Sequence, residues 1–119
     1  MTEPTTVGLS PETHEKLKAL QQGGTFKEMA DAYRLGVAYA LFERVDVRDL
    51  PEVRGGTIFN VGTLDPDRIL YSAVSALTSE DAMPVYRRLE RLADWGVSEI
   101  YMHHHGRRES LSSMFAKDE

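Results

Sequence analysis

Residues 35–42, LGVAYALF, form an unbroken apolar run without a single charge. In helical projection Phe26, Met29, Ala30, Tyr33, Val37, Ala40 and Leu41 fall on one face, and Leu35, Ala38, Tyr39 and Phe42 on another. A helix that is apolar on nearly every face cannot lie on the surface of a small monomer. It has to be wrapped, and the simplest cover is a second copy of the same chain. The run therefore predicts a homo-oligomer, a dimer or higher, with Val7, Leu9, Tyr33, Val37, Ala40 and Leu41 in its shared core.

What precedes the run sets its context. A short Thr/Val/Gly/Leu stretch at residues 5 to 9 leads into Ser10-Pro11-Glu12. Ser10 can accept a backbone N–H at the open end of a helix, and Pro11 suits the first turn, where its missing donor is not needed. That first helix carries a narrow apolar stripe of Leu17 and Leu20 with Thr13 beside them, and Gly23-Gly24 ends it. Thr25, with Glu28 three residues later, has the spacing of a capping box and places the start of the second helix there.

This order, VGLSPE, then Leu17 and Leu20, then the GGT turn and a buried second helix, resembles the ribbon-helix-helix (Arc-type) fold over residues 5 to about 44. The resemblance implies that the N-terminal strands of two subunits pair as an antiparallel ribbon and that outward side chains of the ribbon meet the major groove of DNA. Alternation along the strand turns Val7 and Leu9 inward and leaves Thr6 and Gly8 outward. None of these is basic, although DNA affinity depends on neutralising phosphates with Lys and Arg.

Beyond residue 44 come a charged loop with Pro51 and Gly55-Gly56, then Thr57 to Val61, read as a short strand or a buried turn. Asp65 and Pro66 suit the N-cap and first residue of a third helix with the stripe Ile69, Leu70, Ala73, Val74 and Leu77. A fourth helix begins near Ala82, capped by Asp81 with Pro84 in its first turn. It buries Tyr86, Leu89, Leu92, Ala93 and Trp95, and stops at Gly96, with Val97 folding back on Leu92. Val97 to Met102 follows as a strand or short helix. The expected class is mostly α: a ribbon-helix-helix-like half extended by two further helices, forming an intertwined dimer. Residues 1–105 make one domain and 106–119 a flexible tail.

Over this longer layout the segments ADAYRLGVAYAL, TIFNVGTLDPDRILYSAVSAL and VYRRLERLADWGVSEIY are similar to the small accessory proteins encoded beside DNA phosphorothioation (Dnd) antiphage systems, of the Dnd-associated protein four kind. That resemblance implies a non-enzymatic component of a defence locus that binds DNA or helps larger defence-system proteins assemble on it. It carries no catalytic residues. A regulator of its own locus and a pure protein-interaction adaptor are the alternatives.

Composition limits the choices further. In 119 residues the formal net charge is −5, against a general nucleic-acid binder, which is usually basic. Only residues 83–108 are net positive, with five arginines against three carboxylates. There Arg87, Arg88 and Arg91 fall in one helical quadrant and Arg107-Arg108 follow, so this group reads either as a phosphate or partner contact or as a solvated face paired with Glu90 and Asp94. The chain has no cysteine, its N-terminus lacks the pattern of a signal peptide, and no apolar run approaches the roughly twenty residues of a membrane helix. A soluble cytoplasmic protein is the expectation.

Enzymatic constellations are sparse. His103-His104-His105 cannot all reach one ion from a regular helix or strand, so the run reads as solvated or partner-contacting, with no metal or cofactor expected. Asp65-Pro66-Asp67 reads as a helix start, and Gly55-Gly56 lacks the GK[ST] that follows a phosphate loop.

Overall fold

The computed structural model describes residues 2–79, 82–106 and 110–116. Ser10 and Pro11 start the first helix, α1 (Pro11–Gln22), as their chemistry dictates: the Ser10 hydroxyl accepts the Thr13 N–H at 3.4 Å. Thr13, Leu17 and Leu20 are its buried stripe. The following turn needs one residue in the left-handed region, and Gly24, with φ of 83°, supplies it. The second helix, α2 (Met29–Phe42), starts later than the Thr25/Glu28 spacing predicts. Glu28 occupies the cap position without a side-chain bond, and Thr25 lies outside the helix.

The apolar run does find a cover, and the cover belongs to the same chain. The long helix α5 (Val85–Ile100) lies against α2, with α1 packed on both. Tyr33, Val37 and Ala40 are fully buried there, and Leu41 is half-buried at the edge. The radius of gyration, 13.5 Å, is that of a folded chain of this length. Five of the six residues expected in a shared dimer core thus lie in the core of one chain.

Two glycines set how closely α2 and α5 approach. A Cβ placed on Gly96 would sit 1.8 Å from the carbonyl oxygen of Gly36, and one on Gly36 would sit 2.7 Å from Val97 Cγ2. Gly96 was expected to stop its helix. Instead α5 runs through it to Ile100 and continues in wider, π-type turns through Tyr101–Gly106. A glycine inside a helix costs about 1 kcal/mol relative to alanine. Here the loss is offset by packing backbone on backbone.

The N-terminal strand is also completed within the chain. β1 (Thr6–Gly8) pairs antiparallel with β2 (Thr57–Asn60), Thr6 opposite Asn60, Val7 opposite Phe59 and Gly8 opposite Thr57, with a bulge between Val7 and Gly8. Val7 and Leu9 point inward as alternation requires. Gly8, expected outward, is buried, because a Cβ on it would meet the Gly56 carbonyl oxygen at 2.0 Å. The glycines here let two backbones meet closely instead of exposing a strand face.

After β2 come α3 (Val61–Leu64) and α4 (Ile69–Leu77). Asp65 caps α4 from farther back than expected. The chain passes through Arg68 in the left-handed region, φ 56°, and the Asp65 carboxylate then accepts the N–H groups of Leu70 at 3.0 Å and Tyr71 at 2.9 Å. It also accepts the Tyr86 hydroxyl at 2.9 Å, tying α4 to α5. Asp81, the expected cap of α5, lies outside the described residues. The first amides of α5, those of Val85 and Tyr86, are taken at 2.8 and 2.9 Å by the carboxylate of Glu3, more than eighty positions upstream.

Part of the expected flexible tail is also structured. α6 (Leu111–Met114) buries Met114, and Phe115 meets Tyr39 edge-on at 5.2 Å and Phe42 at 5.3 Å. Tyr39 in turn stacks on Trp95 at 5.9 Å.

Candidate functional site

Four of the residues that sequence reading set aside for binding meet in one place. Thr6 and Gly8 of β1 and Arg87 and Arg91 of α5 line a polar cleft of about 370 Å³, closed by Gly55-Gly56, Thr57, Glu52 and Glu90. Arg87 and Arg91 are there because a spacing of four puts both on one side of α5. Arg88 leaves this group. It is 7% exposed, and its guanidinium donates to the Met83 carbonyl at 3.1 Å and to the Thr78 hydroxyl at 2.8 Å. A charged side chain inside the fold needs such partners, and these bonds secure the segment before α5. Arg107 and Arg108 lie outside the described residues.

Neither remaining arginine is free. The Arg87 guanidinium donates to both oxygens of Glu90, at 3.1 and 3.0 Å, and Arg91 donates to the Leu50 carbonyl at 3.1 Å. Arg87 keeps 43% of its side chain exposed, whereas Glu90 keeps 10%. The pair is thus anchored on its acidic side and open on its basic side.

Glu90 and Asp94 do more than balance arginines. Glu90 Oε2 accepts the Gly8 N–H at 2.8 Å, and Asp94 Oδ1 accepts the Ser10 N–H at 2.8 Å and the Ser10 hydroxyl at 3.0 Å. Amides two apart along an extended chain are met by carboxylates one helical turn apart, a match of roughly 6 to 7 Å in both elements. The carbonyl of Gly8 is taken from the opposite side by the Tyr33 hydroxyl at 3.0 Å. Burial first, and then the nearby negative charges of Glu90 and Asp94, push the Tyr33 phenol well above the usual tyrosine range, so it stays a neutral donor. The sequence offers these acids only as arginine partners on a solvated face, one of its two readings, and not as acceptors for buried amides. The available signal was their place near the stripe Tyr86, Leu89, Ala93, Val97, where an acid needs an internal partner.

This arrangement suits binding better than bond making. The carboxylate that reaches the cleft floor, Glu90, is occupied by an amide and a guanidinium, and the buried phenol nearby is spent on a carbonyl. Burial and its bond to Asp65 likewise hold the Tyr86 phenol up, to about 12. His103 Nε2 lies 3.5 Å from Glu99 Oε1, and the side chain of His105 lies outside the described residues. Among the described residues no group of three or more His, Cys, Asp or Glu is placed to hold a metal ion.

A second surface has the opposite character. α4 turns Val74 into the core but leaves Ile69 68% and Leu77 67% exposed. Beside Leu77 runs a groove of about 380 Å³ with Leu41, Val45 and Val47 on its apolar wall and Arg44 and Asp46 at its rim. Asp46 is engaged by Arg48, whose hydrogen bonds hold its carboxyl down at about 2. Among the described residues no helix is long and apolar enough to cross a membrane. Neither protein-family models, nor curated proteins, nor solved structures yield a match to this chain.

Proposed function

We propose that the chain is a non-enzymatic adaptor, an accessory protein that acts by holding other proteins together. The condition of the arginines carries the reading: Arg88 is buried on its own chain, Arg87 is paired with Glu90, and Arg91 holds the Leu50 carbonyl. Gripping a duplex requires several cations free to displace counterions. The cleft sets two arginines against two glutamates, so it is rich in hydrogen-bonding groups and balanced in charge. That chemistry fits a polar polypeptide segment better than a phosphate backbone. In the setting implied by the resemblance to phosphorothioation-associated proteins, the partners are larger components of a cytoplasmic defence system.

A second reading, direct DNA contact, is favoured by one observation, the meeting of Thr6, Gly8, Arg87 and Arg91 in a single cleft. In its ribbon-helix-helix form it requires two β1 strands to pair across an intertwined dimer, whereas here β2 holds one edge of β1 and Glu90 and Asp94 take the amides of Gly8 and Ser10. Titration of a labelled random duplex at several salt concentrations separates the readings. The adaptor reading expects no salt-dependent binding. A log–log salt slope near −1.8, the value for about two phosphates, that disappears in Arg87→Glu/Arg91→Glu overturns it in favour of DNA.

A further inference from the structure

α4 has no charged residue in its nine, ILYSAVSAL, and its outer row of Ile69, Ala73, Ala76 and Leu77 follows helical spacing. Ile69 and Leu77, at its two ends, are the two most exposed large apolar side chains among the described residues. The exposed residues between them are Ser72, Ser75 and Ala76, with half-buried Ala73 in the row, so a second helix can approach closely. Such a row in a small chain marks a contact surface.

The charges around the row indicate what covers it. Arg44 stands at the C-terminal end, lining the groove with Leu77 and Thr78. Asp67 precedes the N-terminal end by two residues. Both are exposed, and among the described residues neither takes part in an ion pair. Arg68, next to Asp67, lies over the Tyr71 ring at 4.0 Å, and Asp46, beside Arg44, is paired with Arg48. The two unpaired charges are thus a cation at one end and an anion at the other, and the surface is complementary to itself when turned end for end.

We infer that α4 pairs antiparallel with α4 of a second copy, across a two-fold axis near Ala73. Each copy places its Ile69 in the groove bounded by Leu41, Val45, Val47 and Leu77 of the other. Asp67 then arrives beside Arg44 of the opposite copy, twice over, because a two-fold interface repeats every contact. Opposed helix ends also bring unlike dipole ends together. The polar cleft of β1 and α5 takes no part, so the pairing doubles the adaptor's partner-binding sites. This inference concerns self-association alone and needs no DNA or partner protein to test.

A contact of this size sits at the weak end of stable interfaces, with a dissociation constant on the order of 10 to 100 μM. Sedimentation equilibrium of the full chain up to about 1 mM reads it directly. Wild type is expected to move from one chain toward two, and Ile69→Glu, on an exposed position with unchanged circular dichroism, to weaken association at least about 100-fold. Arg44→Asp and Asp67→Arg should each weaken it by about tenfold, and the double reversal should restore it. Three results would each overturn the inference: a wild-type monomer throughout, an Ile69→Glu variant that associates like wild type, or a double reversal no better than the single ones. The second of these would return the dimer to another face, the β1 ribbon included. Because no nucleic acid is present, any of them leaves the adaptor reading to stand or fall on the duplex titration.

Discussion

Replacing Gly96 with alanine sets two known effects against each other. Helix propensity favours the change, since alanine in a helix interior is better than glycine by about 0.8 to 1 kcal/mol. Packing opposes it. The new Cβ would lie 1.8 Å from the Gly36 carbonyl oxygen, 2.5 Å from its carbon and 2.8 Å from its Cα, all backbone atoms that no rotamer can move aside. An ordinary contact there is about 3.2 to 3.4 Å, so α2 and α5 must part by roughly 1.4 Å at their crossing. A radial gap of 0.5 to 1 Å already forfeits about a quarter to a half of the dispersion well, and the residues beside the crossing, Tyr33, Val37, Ala40, Leu89, Leu92, Ala93 and Val97, are all fully buried. Overpacking of this kind costs about 1 to 3 kcal/mol or more, and its place at the main helix contact puts it at the upper end. The net expectation is a loss of about 2 to 3 kcal/mol, a large share of the roughly 5 to 15 kcal/mol that holds a domain together. Urea denaturation followed by far-ultraviolet circular dichroism reads this as a lower midpoint with an unchanged slope. Gly56→Ala, whose Cβ would meet nothing within 4 Å, is the control and should stay within about 0.5 kcal/mol of wild type. Gly36→Ala should also destabilise, and the double variant should cost less than the sum, because the first Cβ already parts the helices. A Gly96→Ala protein as stable as wild type would refute the close crossing.

Glu3→Ala removes the carboxylate that accepts the first two amides of α5 and should cost about 1 kcal/mol in urea denaturation, the usual value of a cap. Tyr33→Phe leaves the buried Gly8 carbonyl without its donor and should cost about 1 to 3 kcal/mol, with the fold retained. The raised Tyr33 and Tyr86 phenols are stabilising in their neutral form, so that contribution is complete below pH about 10 and is lost as pH rises further, for Tyr86 through about 12; absorbance at alkaline pH should show a late tyrosine ionisation that coincides with unfolding. Deleting the chain after Gly106 uncovers the Tyr39 ring and removes buried Met114, and should lower stability by about 2 kcal/mol in the same denaturation assay.

Local chemistry was legible in the sequence. The Ser10-Pro11 start, the stripe of Leu17 and Leu20 and the inward Val7 and Leu9 follow from interactions within a few residues, and α1 and β1 obey them. Errors arose where a distant partner decided the outcome. Gly96 followed by Val97 has the pattern of a helix stop, yet what settles its role is Gly36, sixty positions away. Spacing placed Arg87, Arg88 and Arg91 together, and only the position of the Thr78 to Met83 segment takes Arg88 out of the group. The cleft combines residues from β1, the Gly55-Gly56 turn and α5, and no periodicity within one segment brings those three together.

The apolar run requires a cover, and α5 and α1 of the same chain supply one. A chain that ended near residue 44 would offer α2 only the short α1 as an internal partner and leave β1 with unpaired edges, which is why the N-terminal half points to a second copy. The remaining residues alter both conditions. β2 pairs with one edge of β1, while Glu90 and Asp94 of α5 take the amides of Gly8 and Ser10. The same α5 lies along α2 through the Gly36 and Gly96 crossing. Strand partner and helix partner both come from the C-terminal half, and the need that would have driven an intertwined dimer is met within one chain. Among the described residues the outer row of α4 stays uncovered, a different surface with a different symmetry. A second copy docked there joins two already folded chains, so the two states differ by the contacts of one helix pair rather than by the core of the fold. Association of that kind responds to concentration in the micromolar range, whereas an intertwined core would unfold on dissociation.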